Sequence, residues 1–184
     1  MHRIMLVDDE PNILHALRRV IGTEVTDGQN RFEVKVETFE TPEEALKRAS
    51  DVKIDLAISD YRMPGMDGVA FLKSFRGLQP NAARLILSGY ADLVGLIGAI
   101  NDAQIYRFIN KPWEDYDVVT AITQALAFKQ LLIENQQLAD LVRVQRGQLA
   151  RQEMELRRLE EETPGITKVK WGPDGSVVLD EEDW

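Results

Sequence analysis

The chain has 184 residues, 44% of them apolar, enough for one domain of ordinary size with its own core and an appendage. Its 31 acidic residues outweigh 22 Lys+Arg for a net charge of -9, which argues against a surface built to coat phosphate backbones, so no nucleic acid partner is expected. With no cysteine and only His2 and His15, disulfides, Cys-based zinc sites, thiol nucleophiles and histidine-rich metal centres are excluded.

The first residues, MHRIMLVDDE, lack the pattern of a signal peptide, and the longest apolar run, LVGLIGAI, is too short to span a bilayer. The expectation is a cytoplasmic protein with no membrane association. Ile4 to Val7 has the length of a buried strand, and Glu10-Pro11 is followed by Ile13, Leu14, Leu17 and Ile21 at helical spacing. Phe32 to Phe39 alternates as a second strand. Thr41-Pro42-Glu43-Glu44 then supplies an N-cap, a proline at the first helical position and acids in the first turn. Ile54 to Ser59 is the third strand, Val69 to Phe75 a short helix, and Arg84 to Leu87 the fourth strand. Ala91 to Asn101 forms another helix, Ile105 to Asn110 the fifth strand, and a last helix begins near Glu114. Five strands alternating with five helices predict an α/β fold, a doubly wound five-stranded parallel sheet covered on both faces. In such sheets the ligand site lies beyond the carboxyl ends of the strands.

Those ends carry the chemistry. Strand one stops at Asp8-Asp9, strand three at Asp60 inside IDLAISDYRMPGMDG, strand four at Ser88 and strand five at Lys111-Pro112. Carboxylates crowded at one edge repel unless a cation intervenes, and hard oxygen donors with room for water suit Mg²⁺. One such carboxylate could attack a phosphoryl group, with Lys111 and the metal neutralising its oxygens and Ser88 donating a hydrogen bond. Taken singly, each residue has a plainer role: the acids as caps or solvated loop residues, Ser88 as a turn residue and Lys111 as a solvated strand end. Phe108 and Tyr106 could be core, and the Pro/Gly-rich loop a packing turn.

Four fragments decide between these readings. VDDE at 7 to 10, DYRMPGMDG at 60 to 68, LSGY at 87 to 90 and FINKPW at 108 to 113 stand in the order and spacing of a response-regulator receiver domain of two-component signalling, which residues 1 to 127 resemble. The resemblance implies a flavodoxin-like receiver fold, with Asp60 as phosphoacceptor, Asp8 and Asp9 as metal-binding acids and the Arg62 backbone carbonyl as a further Mg²⁺ ligand. It also implies Ser88 as the switching hydroxyl, Lys111 as the lysine that pairs with the phosphoryl group, and a cis bond before Pro112. The aromatic that reports the switch is then Phe108, with Tyr106 as the alternative. Arg62 and Tyr90, two residues past Asp60 and Ser88, are bulky enough to hinder an attacking water, so slow autodephosphorylation is expected.

The last helix is predicted to run past residue 127 to Glu162, where Thr163-Pro164-Gly165 ends it; 48 residues would make a rod of about 70 Å, which cannot stand alone in water. A heptad frame places Phe128, Asn135, Val142, Leu149 and Leu156 at a, and Leu131, Leu138, Gln145, Gln152 and Leu159 at d. This predicts a modest dimeric coiled coil over 128 to 163, against the alternatives that the stripe folds back on the receiver or that the end frays. Glu155 and Glu160 would repel across a parallel pair, so orientation stays open. ITKVKWGPDGSVVLDEEDW, within 164 to 184, alternates around Gly172-Pro173-Asp174-Gly175 and reads as a β-hairpin, or else as an acidic tail. No stretch resembles a DNA-binding or enzymatic output domain. The expected function is a response regulator phosphorylated by a sensor histidine kinase, dimeric through its helix and acting on a downstream protein. The alternatives are a phosphorylation-independent dimeric adaptor and a small-substrate phosphatase with an aspartate nucleophile.

Overall fold

The computed structural model describes residues 1–89 and 103–164. The chain divides into two compact units, Met1–Ile133 and Glu134–Trp184. In the first, β1 (His2–Val7), β2 (Glu24–Thr26), β3 (Arg31–Phe39), β4 (Leu56–Asp60), β5 (Ala83–Gly89) and β6 (Arg107–Lys111) form one sheet ordered β2-β3-β1-β4-β5-β6. All neighbours pair in parallel except β2, which runs antiparallel to β3.

Among the described residues the sheet thus has six strands, and the expectation of five is corrected by β2. This strand is only Glu-Val-Thr, with Val25 alone buried, too short for a periodic signal. It exists through its pairing: Val25 stands opposite Phe32, and Arg31 of β3 makes a 2.7 Å ion pair with Glu24. The central strand β4 is buried at all five positions, as a parallel strand covered on both faces must be.

Alternation along the strands divides the core in two. Ile4, Leu6, Ile58 and Leu85 face α1 (Pro11–Ile21) and the first turns of α4 (Asp115–Glu162), meeting Leu14, Leu17, Val118 and Ile122. Met5, Val7, Ala57 and Ile86 face α2 (Pro42–Asp51) and α3 (Gly68–Leu78), meeting Ala45, Phe71 and Phe75. The Thr41 hydroxyl accepts the Glu44 N–H as expected of the N-cap of α2, with Pro42 at the first position. Helix α3 starts one residue before the predicted Val69 because Asp67 caps it, accepting the Ala70 N–H at 2.7 Å.

Helix α4 is 48 residues long and ends at Glu162, just before Thr163-Pro164, as predicted. Leu138, Val142, Leu149, Leu156 and Leu159, on the part of α4 that belongs to the second unit, are all exposed. The helix expected over Ala91 to Asn101 and the hairpin expected after Pro164 lie outside the described residues. Among the described residues, no helix is long and apolar enough to cross a membrane.

Candidate functional site

Parallel pairing brings the strand ends to one edge. Asp60 pairs with Leu87, Ser88 with Asn110 and Gly89 with Lys111, while the Asp8 N–H donates to the Phe39 carbonyl at the end of β3. Asp8, Asp60 and Ser88 are buried, with relative exposures of 1%, 6% and 1%. Two carboxylates this dry require compensation, and one cation supplies most of it: the Lys111 ammonium lies 2.5 Å from Asp60 Oδ1 and 2.9 Å from Asp8 Oδ2. The remaining oxygens accept backbone donors, Asp8 Oδ1 from the Glu10 N–H at 2.8 Å and Asp60 Oδ2 from the Arg62 N–H at 2.9 Å.

Burial pushes the Asp8 carboxyl above its ordinary value, outweighing the Lys111 ammonium and the Glu10 N–H that pull it down. Burial acts on Lys111 in the opposite sense, but the bonds to Asp60 and Asp8 overcome it and raise the amine above its ordinary value. Lys111 is therefore an ammonium at neutral pH.

Of the residues predicted from sequence, the fold brings together Asp8, Asp60 and Lys111. Asp9 and the Arg62 side chain are exposed beside them, and the Ser88 hydroxyl donates at 3.0 Å to the Gly89 carbonyl. Among the described residues, no three acidic or imidazole side chains are gathered as a metal-binding group, and the Lys111 ammonium bridges the two buried acids. Even so, two buried carboxylates against one ammonium leave an uncompensated negative charge, and hard oxygen donors are the kind Mg²⁺ takes. The donor set fits that ion in its chemistry. The Lys111-Pro112 peptide is cis, as the resemblance implied. Phe108 is 41% and Tyr106 38% exposed, and Tyr90 lies outside the described residues.

The sequence places Gly68 in a packing turn, but not its close approach to the strand end that carries Asp60. A Cβ there would stand 2.9 Å from the Asp60 carbonyl carbon and 3.0 Å from Ser59 Oγ, so only glycine lets α3 begin against the back of the strand that carries Asp60. The DG dipeptide preceding a helical run was the available signal.

The sequence profile of the response regulator receiver domain matches residues 4–123. The hydrogenase transcriptional regulatory protein HoxA of Cupriavidus necator is 33% identical over 123 residues, 67% of this chain and 24% of that protein. HoxA of Bradyrhizobium diazoefficiens is 36% identical over 133 residues, 72% of this chain and 26% of that protein. The matched region thus spans about a quarter of these curated relatives. Among solved structures, the signal receiver domain of an HD domain-containing protein from Pseudomonas fluorescens Pf-5 is 29% identical, with a TM-score of 0.64 over 72% of this chain and 92% of that one. A structure described as adenylate cyclase from Rhodopirellula baltica is 33% identical, with a TM-score of 0.66 over 76% of this chain and 97% of that one. Receiver domains are signalling modules that sensor histidine kinases phosphorylate and that generally bind Mg²⁺ at the phosphorylation site. The acid pair on its lysine, the six-stranded sheet that presents it and the match over residues 4–123 together make this chain a member of the response regulator receiver domain family.

Proposed function

We propose that this chain is a cytoplasmic response regulator whose Asp60 accepts a phosphoryl group from a histidine kinase in a Mg²⁺-dependent reaction. The observation that carries it is the Lys111 ammonium lying between Asp60 and Asp8 at the carboxyl edge of the sheet. An Asp60 oxygen attacks phosphorus, an O–P bond forms as the N–P bond of a phosphohistidine breaks, and the departing imidazole nitrogen keeps the electron pair and takes a proton from solvent. Lys111 and the Arg62 N–H hold the carboxylate in place, and Lys111 also faces the charge that arrives with the phosphoryl group. Asp8, Asp9, Asp60 and the Arg62 carbonyl would hold Mg²⁺, which supplies charge neutralisation for the phosphoryl oxygens.

Ser88 is the hydroxyl that would turn from the Gly89 carbonyl to the phosphoryl group, with Phe108 reporting the change. Residues 1–127 form the receiver under this reading, and Phe128 and Lys129, the first residues of the segment that follows, still pack on it through Tyr106 and Asp55. Residues 128–163 form a dimerising coiled coil through Leu131, Leu138, Val142, Leu149, Leu156 and Leu159, supported by the exposure of all six side chains. Output passes by protein contact to a downstream partner. Incubation with Mg²⁺ and acetyl phosphate, followed by intact-mass measurement, is the test: one phosphoryl group is expected on the wild type and none on Asp60→Asn or after chelation. Equal labelling of Asp60→Asn would sink the reading. A dimer that functions normally with Asp60→Asn would favour the phosphorylation-independent adaptor.

A further inference from the structure

Strands β4 and β6 end in Asp60 and Lys111, and consecutive residues of α4 touch both at their other ends. Lys129, only 7% exposed, forms an ion pair with Asp55, the residue before β4. Asp55 Oδ2 accepts the Arg3 N–H at 2.8 Å, and His2 Nδ1 stands 3.9 Å from Asp55 Oδ1, so the carboxylate is fixed from β1 as well. Phe128 lays its ring on Tyr106, the residue before β6, with centroids 5.2 Å apart and planes 32° from parallel. A lysine is buried on a helix only against a matching charge, so Lys129 gives this turn of α4 a fixed seat on the base of the sheet.

We propose that Phe128 and Lys129 form a relay that reads the phosphorylation state of Asp60 at the base of the sheet and sets the local order of α4 where it leaves the receiver. The proposal rests on the reading of Asp60 as the phosphoryl acceptor. A phosphoryl group brings a charge of about -2 and three acceptor oxygens to a site where Lys111 already bridges two acids, so Lys111 must change partners. That change acts on the last residue of β6 relative to the last residue of β4. Five residues of strand, about 16 Å, carry it to Asp55 and Tyr106, and both are held by α4. Two adjacent residues gripping two different strands turn a relative shift of the strands into a torque on one helical turn.

The test is hydrogen exchange over residues 126–135 in the full chain, with and without Mg²⁺ and beryllofluoride, beside acetyl phosphate labelling of Asp60. The wild type is expected to change its exchange rate in this segment by at least about threefold. Asp55→Asn/Lys129→Met is expected to label normally but lose the change, Lys129→Arg to keep it, and Tyr106→Leu to reduce it. Tyr106→Leu alters an accessible ring and serves if the double variant does not fold. An unchanged exit turn in a labelled wild type, or a full change in the double variant, overturns the relay while leaving Asp60 as acceptor. Absence of labelling in the wild type overturns both readings and is seen directly by mass.

Discussion

Gly68 and Asp60 meet backbone to backbone: the first residue of α3 lies so close to the Asp60 carbonyl that a single added carbon would fall well inside van der Waals contact. The Gly68 N–H is also committed, donating at 2.9 Å to the Tyr61 carbonyl. Neither partner can withdraw without moving the end of β4. Gly68→Ala is therefore expected to destabilise the chain by about 1–3 kcal/mol, as overpacking does, and to slow labelling of Asp60. Gly77, in the same helix with nothing near its Cβ direction, is the control, and Gly77→Ala should stabilise by about 0.5–1 kcal/mol. Urea unfolding and acetyl phosphate labelling of both variants check the pair.

Lys111→Met is expected to cost about 3–5 kcal/mol, because it leaves Asp8 and Asp60 buried without their shared cation. Asp60→Asn/Lys111→Met should recover part of that loss, since one buried charge leaves with its partner. In the wild type, Mg²⁺ should raise the melting temperature by mass action, and the increment should vanish in Asp8→Asn. A double variant no more stable than Lys111→Met would contradict the shared-cation account.

Acid should act through two other carboxyls. The Arg48 hydrogen bond, set against burial, holds Glu37 below its ordinary value of 4.5, with Arg3 adding to the effect. Burial pushes Asp55 up from 3.8, but the Lys129 bond and the Arg3 N–H overcome it and leave the carboxyl below that value. Both folded-state values lie below the unfolded ones, so the stabilisation is present above the unfolded values and is lost as pH falls through the folded ones. The urea midpoint should drop between about pH 5 and about pH 3, and the drop should be shallower in Asp55→Asn/Glu37→Gln than in the wild type. Equal slopes would show that other groups carry the acid limb.

The residues legible in the sequence were those whose signal is local. Thr41-Pro42 announced α2 because capping uses atoms three residues apart, and the apolar run ending in Asp60 announced β4 because a buried strand is continuous in sequence. What stayed hidden depends on distant partners. Lys129 reads as an outward position of the heptad frame until Asp55, 74 residues earlier, is found beneath it. Likewise Val25 belongs to no run long enough to show a period, and it forms a strand only through its pairing with Phe32. The three-way contact of Lys111 with Asp8 and Asp60 was legible as an association of residue types at strand ends. Which acids the lysine would bridge, and that Asp9 would stay exposed, required the side-chain geometry.

The exposed stripe of α4 supplies the remaining prediction. Leu138, Val142 and Leu149 are 59%, 46% and 58% exposed, a row of aliphatic side chains that stays in water unless something covers it. If a second copy covers it through the heptad seam, Leu149→Asp places a carboxylate in a core layer and should weaken the dimer by about 2 kcal/mol, roughly thirtyfold in dissociation constant. Asn135→Leu should act in the opposite direction, because a polar a residue costs stability while it fixes register. Neither variant touches the receiver site, so acetyl phosphate labelling of Asp60 should match the wild type in both. Light scattering across a dilution series reads the dissociation constants. A wild-type chain that stays monomeric at every concentration would remove the seam, and a Leu149→Asp dimer as tight as the wild type would move the interface to another face of the helix.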